Sequence, residues 1–231
     1  MKKRRLAIIL PAYNEAKVIK GVLTKLQSYL NRLKTVEYEI IVVDDGSKDK
    51  TAKLAKDSGV TVVSHILNRG LGGALATGLS YAKKHGFDIA LTMDSDGQHS
   101  PSDIAKAIEP IICNKADVVI GTRMMGQRGM PWDRIILNFL SNTLTFLLFR
   151  IWSSDSQSGF RVFNKMALQA IDLKTQGMEV SSEFFAEIKE NHLRYAEVPI
   201  TVIYSKYSRK KGQSNLNSIP ITAKLFLRLF R

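Results

Sequence analysis

Five short runs of β-branched and aliphatic residues, at 6–10, 39–43, 60–65, 89–93 and 117–121, alternate with longer stretches of helical periodicity at 15–33, 50–58, 71–85 and 101–113. That alternation constrains the fold more than any other feature. Strands separated by helices pair in parallel, so the first half of the chain reads as βα units around a mostly parallel sheet flanked by helices. Ligands of such sheets bind beyond the carboxyl ends of the strands, and this chain places its polar clusters there. Pro11-Ala-Tyr-Asn-Glu15 follows the first run, Asp44-Asp-Gly-Ser47 the second, Asp94-Ser-Asp-Gly-Gln-His99 the fourth and Thr122-Arg123 the fifth.

Beyond residue 122 the alternation stops. A loop with Gly126, Gly129 and Pro131 leads into an amphipathic helix over 134–152. The remaining pattern predicts a strand at 158–163, a serine-capped helix at 181–191, a strand at 195–204, a polar basic loop at 205–218 and a short terminal helix at 219–231. One α/β domain over 1–216 is expected, with an amphipathic helix over 217–231. The stretch 135–152 is interrupted by Asn138, Ser141, Asn142, Thr143, Thr145 and Arg150, and does not read as a membrane span. The apolar run behind Met1-Lys-Lys-Arg-Arg5 is too short for an export signal.

The formal charge is +13, and no acidic residue follows Glu197. Such an excess suits a polyanionic partner: nucleic acid, an anionic membrane surface or a phosphorylated substrate. Nucleic acid is the weakest of these, since no binding motif accompanies the charge and it leaves the paired aspartates unexplained. The lone Cys113 excludes an internal disulfide, fits a reducing cytoplasmic compartment, and reads as a small buried hydrophobe.

Asp94 and Asp96 stand two apart at a strand end, where the period of two aims both carboxylates to one side, and Gln98 extends the spacing with a neutral oxygen. Paired carboxylates of this kind suit Mg²⁺ or Mn²⁺ bridging to a diphosphate. His99 reads equally as a rim residue or a further ligand. Asp45 is placed to accept hydrogen bonds from a base or ribose, while Ser47, Asp49 and Thr51 read as helix-capping residues. Asn68-Arg-Gly-Leu-Gly-Gly-Ala74 fails the dinucleotide fingerprint because Leu75 takes the place of its last glycine. Its amides either approach a phosphate or its glycines serve close packing.

Taken in order, Pro11-Ala-Tyr-Asn-Glu15, Val43-Asp-Asp-Gly-Ser47, Gly70-Leu-Gly-Gly-Ala74, Met93-Asp-Ser-Asp-Gly-Gln-His99, Gly121-Thr-Arg123, Asp155-Ser-Gln-Ser-Gly-Phe-Arg161 and Glu197-Val-Pro-Ile200 resemble the family 2 glycosyltransferases. Within that group the chain is most similar to the dolichyl or polyprenyl phosphate mannosyl- and glucosyltransferases, over residues 6 to about 216. The resemblance implies a GT-A fold, a nucleotide-diphosphate sugar donor such as GDP-mannose or UDP-glucose, a divalent ion and inversion at the anomeric carbon. By position it implies that Pro11, Tyr13, Glu15 and Asp45 contact the donor nucleoside, and that Asp94, Ser95, Asp96 and Gln98 hold the metal and diphosphate. Arg123 and Arg134 would face the lipid phosphate, Lys210 would belong to a basic flap over residues 209–215, and Asp96, Arg123 and Arg134 would form the catalytic set. Family members often carry two adjacent arginines where this chain has Asp133-Arg134.

A phosphate acceptor is ionised near neutral pH and needs no protein base, whereas a sugar or protein hydroxyl acceptor, the alternative, does. The chain contains no Glu-Asp pair, leaving Asp155 or Glu183 as bases for that alternative. The expected setting is peripheral, on the cytoplasmic face of an anionic membrane, with the 134–152 and 219–231 helices as interfacial elements and a separate membrane subunit as a further partner.

Overall fold

The computed structural model describes residues 3–123 and 132–203. Its elements in chain order are β1 (Arg4–Ala12), α1 (Ile19–Leu30), β2 (Val36–Asp44), α2 (Thr51–Asp57), β3 (Thr61–Ser64), α3 (Gly70–Lys84) and β4 (Ile89–Thr92). There follow α4 (Asp103–Ile112), β5 (Val118–Thr122), α5 (Trp132–Phe149), β6 (Arg161–Asn164), α6 (Lys165–Ala170), α7 (Val180–Glu190) and β7 (Tyr195–Pro199). The strands form one sheet in the order β3-β2-β1-β4-β6-β5-β7. All neighbours are parallel except β6, which runs antiparallel to both β4 and β5.

The apolar runs are continuous because both faces of the sheet are covered. Leu6, Ile8 and Leu10 of β1, with Ile40 and Val42 of β2, pack into one core with Leu23 and Leu26 of α1 and Ile104 and Ile108 of α4. Ala7, Ile9, Ile41 and Val43 point the other way, into a second core with Leu75 and Leu79 of α3 and Phe184 and Phe185 of α7. The strand period of two thus divides each apolar run between two helical layers.

Four expectations need correction. The strand foreseen at 158–163 begins only at Arg161, because residues 153–160 form a polar loop, and the strand foreseen at 195–204 ends at Pro199, with an isolated bridge from Val202 to His99 beyond it. Helix α7 is not opened by a serine cap. It begins at Val180, with Ser181 and Ser182 buried in its first turn. Cys113 is exposed, just past the end of α4, and is no core residue. Helix α6 went unforeseen; it is six residues long, and the Asn164 side chain caps it by accepting from the Ala167 amide. The basic loop 205–218 and the helix 219–231 lie outside the described residues.

At the end of the sheet away from the polar clusters, Asp117 is 1% exposed. Its carboxylate accepts from the Arg194 guanidinium at 2.8 and 2.9 Å, from the Arg194 amide at 2.8 Å and from the Asn164 amide group at 2.7 Å. Hydrogen bonding to Arg194 outweighs desolvation and holds its carboxyl down from 3.8 to about 2. A depressed acid stabilises the fold above its unfolded value and loses that contribution as pH falls through its folded one. Asp117 therefore contributes about 2 kcal/mol above pH 3.8, lost toward pH 2. In urea denaturation, Asp117→Asn is expected to be less stable than wild type by about 1–3 kcal/mol at neutral pH, with the gap closing through that acid window.

Candidate active site

The loops after β1, β2 and β4 are sewn together into one rigid rim. The Asp45 amide donates to the Ala12 carbonyl at 2.8 Å, the Asn14 amide to Ser47 Oγ at 2.9 Å, the Glu15 amide to Thr51 Oγ1 at 2.8 Å and the Ala16 amide to Asp49 Oδ2 at 3.1 Å. Asp49 does cap α2, accepting from the Thr51 amide at 2.9 Å. Ser47 and Thr51 serve instead to hold the segment carrying Tyr13 and Glu15. Ser95 joins the third loop to the first by donating to the Pro11 carbonyl at 2.7 Å. Ser95 lies in the turn beyond the end of β4 and is buried. Tyr13 is exposed on the rim and Glu15 is buried beneath it.

Asp94 and Asp96 stand together at the mouth of the cleft. The Asp94 side chain keeps 42% of its surface exposed, and Oδ2 accepts from Nε2 of the buried His99 at 3.0 Å. Desolvation raises the Asp94 carboxyl, but the hydrogen bond and charge of His99, with the charges of Arg123 and Arg161, outweigh it and hold the group below its ordinary value. Asp96 goes the other way, raised by burial and by the neighbouring charge of Asp94 despite hydrogen bonds from Gln98. The Gln98 backbone amide donates to Asp96 Oδ1 at 2.9 Å, and its side chain bonds Oδ2. Two carboxylates that repel each other are hard-cation donors, so the pair fits Mg²⁺ or Mn²⁺. Among the described residues no group of three or more His, Cys, Asp or Glu side chains gathers. His99 acts behind Asp94, with its other nitrogen buried.

Gly159 is what lets Asp94 lie where it does. A Cβ there would come within 2.4 Å of Asp94 Oδ1 and 2.8 Å of Oδ2. The Gly159 carbonyl in turn accepts from Thr92 Oγ1 at 2.9 Å, fastening the 153–160 loop to β4.

Arg123 projects from the end of β5 and forks onto Asp155, with Nε to Oδ2 and Nη2 to Oδ1 both at 2.6 Å and its amide to Oδ2 at 3.0 Å. Asp155 is fully buried, while 28% of the Arg123 side chain is exposed. Glu197 holds the Asp155 loop: its carboxylate accepts from Ser153 Oγ at 2.7 Å, the Ser154 amide at 2.8 Å, Ser154 Oγ at 2.6 Å and the Tyr195 hydroxyl. Burial and the bond to Glu197 push the Tyr195 hydroxyl strongly upward, so Tyr195 keeps its proton and donates it to Glu197. Glu183 is buried and accepts from the Lys174 and Thr175 amides and the Thr175 hydroxyl. Both carboxylates weighed as bases for a hydroxyl acceptor are therefore committed to the fold.

Asp45 is likewise committed. It is buried, its Oδ1 meets His65 Nδ1 at 2.7 Å and the Arg69 amide at 2.8 Å, and its Oδ2 accepts from the Gly70 amide at 2.8 Å. The first amides of α3 are thus capped by a carboxylate. Gly72 donates to the Gln176 carbonyl at 2.8 Å, and a Cβ on Gly72 would stand 2.1 Å from the Thr175 carbonyl oxygen. Of the two readings of the glycine-rich turn, close packing holds. Asp44, which the sequence reading passed over, keeps Oδ1 buried with no hydrogen-bond partner among the described residues.

Helix α5 buries polar side chains beside apolar ones, Leu144 among them, and exposes several large apolar residues. Asn138, Asn142 and Thr145 are buried, whereas Phe139, Leu140 and Leu147 are exposed, as is Trp152 beyond its end. Asn142 Nδ2 donates to the Ser154 carbonyl at 2.7 Å, its Oδ1 accepts from the Ser156 amide at 2.9 Å, and Asn138 reaches Asp155 Oδ1 at 3.5 Å. No helix among the described residues is long and apolar enough to cross a membrane. Arg134 lies on α5, but its side chain and Lys210 fall outside the described ones. The amide of Ile203, the last described residue, donates to the Gln98 carbonyl at 2.8 Å.

A family model described as "Glycosyl transferase family 2" matches residues 7–172. A UDP-N-acetylglucosamine–dolichyl-phosphate N-acetylglucosaminyltransferase of Methanococcus voltae is 38% identical over 99% of this chain and 96% of its own. An undecaprenyl-phosphate mannosyltransferase of Micrococcus luteus is 29% identical over 92% of this chain and 88% of its own. Among solved structures, glucosyl-3-phosphoglycerate synthase from Mycobacterium tuberculosis, in complex with Mn²⁺, UDP-glucose and phosphoglyceric acid, superposes with a TM-score of 0.67 at 20% identity, covering 96% of this chain and 79% of that one.

Two measurements test the site. Gly159→Ala is expected to displace the Asp94 carboxylate and weaken Mn²⁺ binding, read by electron paramagnetic resonance, by about tenfold or more with an unchanged circular dichroism spectrum; unaltered binding would remove Asp94 from the metal site. Because the Asp96 carboxyl is raised, Mn²⁺ binding by wild type should begin to weaken on acidification before an ordinary aspartate would protonate. The sign follows from protonation of Asp96 removing a ligand charge.

Proposed function

The chain belongs to glycosyltransferase family 2 and has the GT-A fold, and on that premise we propose that it transfers a sugar from a nucleotide-diphosphate donor to the phosphate of a polyprenyl lipid, with inversion. The observation that carries this reading is the commitment of Asp155 and Glu183 to structural bonds, which leaves neither to deprotonate a hydroxyl. A phosphate monoester oxygen arrives already ionised. Its lone pair attacks the anomeric carbon as the bond from that carbon to the diphosphate oxygen breaks, and the electron pair leaves with the nucleoside diphosphate.

Asp94, Asp96 and Gln98 would hold Mg²⁺ or Mn²⁺, which when bound neutralises charge on the departing diphosphate. Pro11, Tyr13 and Glu15 offer a rigid rim for the nucleoside, with Asp45 shaping that rim from behind through His65 and the start of α3. Arg123 presents its partly exposed guanidinium toward the acceptor phosphate, with Arg134 and the basic segment containing Lys210 as further cations. The named relatives support the lipid phosphate as acceptor, and they widen the sugar from mannose or glucose to N-acetylglucosamine.

The exposed residues of α5 support peripheral attachment on the cytoplasmic face. Its buried asparagines brace the Asp155 loop, while Phe139, Leu140 and Leu147 face outward, where a headgroup boundary receives them. The acceptor phosphate would then meet Arg123 without extraction of the lipid tail.

Incubation with Mn²⁺, UDP-N-acetylglucosamine, UDP-glucose or GDP-mannose and a polyprenyl phosphate should yield a charged, organic-extractable sugar lipid. Transfer to free sugars or peptides with none to the lipid phosphate would overturn the reading. The protein should also sediment with anionic liposomes at low salt and less at high salt, because exposed charges are screened, and Phe139→Ser/Leu147→Ser should reduce sedimentation severalfold. Sedimentation unaffected by that pair would take α5 out of the membrane contact.

A further inference from the structure

The sequence leaves His99 as either a rim residue or a further metal ligand, and the structure gives it neither role. Its side chain is 4% exposed, and Nδ1 is buried with no hydrogen-bond partner among the described residues. Nε2 stands 3.0 Å from Asp94 Oδ2, and because a carboxylate only accepts, Nε2 carries the proton. The ring lies 5.4 Å from that of Phe160, the neighbour of the Gly159 that makes room for the same carboxylate. The His99 backbone meets Val202 in an antiparallel bridge. Around that bridge the Ile203 amide donates to the Gln98 carbonyl at 2.8 Å, the Thr201 amide to Asp103 Oδ2 at 2.7 Å, and Lys106 Nζ to the Pro199 carbonyl at 2.7 Å. Residues 199–203 thus leave the edge strand β7 and run along the loop that carries both aspartates.

We infer that His99 is a positioning residue for the cation: it holds the Asp94 carboxylate through Nε2 and fastens it, through its own backbone, to residues 199–203. The inference rests on the metal site argued above. An unheld carboxylate must be ordered when an ion binds, which costs affinity. Hydrogen bonds to the ligands of a metal remove that cost, and losing one lowers metal affinity about ten- to a hundredfold. Coupling between two sites is reciprocal, so whatever the docked segment contributes to the ion, the ion returns to the segment.

Mn²⁺ binding by electron paramagnetic resonance, on the whole chain, separates this role from packing. Glutamine Nε2 stands as many bonds from the backbone as histidine Nε2, so His99→Gln keeps a donor for Asp94 and loses the ring, whereas His99→Phe keeps a ring beside Phe160 and loses the donor. His99→Gln should bind Mn²⁺ within about threefold of wild type, and His99→Phe about tenfold or more weakly. The reverse order, or equal effects of the two, overturns the inference. Amide hydrogen exchange of wild type, read by NMR, gives a second measurement that needs neither variant to fold. Saturating Mg²⁺ should slow the Thr201 and Ile203 amides severalfold and leave the Arg194 amide, bonded to Asp117 at the other end of the sheet, unchanged. Equal slowing at all three, or none, also overturns it. If wild type binds neither ion, the metal site itself fails instead.

Discussion

A carboxylate stripped of water must be neutralised where it stands, and Asp155 is the group around which this structure is arranged. It has no exposure at all, so its charge is tolerable only because Arg123 closes on it with two side-chain bonds and a backbone amide. Holding the carboxylate in register needs the loop that bears it to be fixed. Glu197 does this from β7, Asn142 from α5 and Arg161 from β6. Three elements far apart in sequence thereby converge on one residue, and the same loop supplies Gly159 to back Asp94. Asp94 and Arg123 are thus both held by a single segment.

The βα frame was legible from periodicity because apolar runs covered on both faces leave a simple signal. Asp94 and Asp96 stood out in the sequence for their spacing, but β4 ends at Thr92 and a turn, not the strand period, places them. The roles of Ser95 and Asp45 were not legible. Both are short polar residues on the right rim, and only the fold reveals that one turns inward to Pro11 and the other caps α3. The antiparallel direction of β6 was also invisible, because four residues of strand carry no mark of polarity. Arg161 was overlooked for a related reason: within a strand, an arginine bound for the core reads like any surface charge.

Helix α5 was expected as an interfacial element, and its neighbours explain which of its polar residues are buried. On a helix packed against an apolar sheet, asparagines and threonines face outward and leucines and phenylalanines inward. The partner here is a polar loop full of backbone donors and acceptors, so hydrogen-bonding side chains are the ones that earn a buried place. Phe139, Leu140 and Leu147 are left outside, while Leu144 is buried and Phe149 packs on the second core.

The position of β6 also governs the order in which the molecule can come into being. Strands β1 to β4 pair among themselves, and everything needed for that half of the sheet lies within the first 92 residues. β5 has no neighbour in the finished sheet except β6 and β7, both made at least 39 residues later. During synthesis β5 must therefore wait, with its edge open, until residues 161–164 slide in antiparallel and join it to β4. Pairings of such long sequence separation close slowly, and an unpaired apolar strand is exposed to misassociation meanwhile. The cleft spans the joint, with Asp94 on the early side and Arg123 on the late one, so no partly folded chain holds both halves of the site.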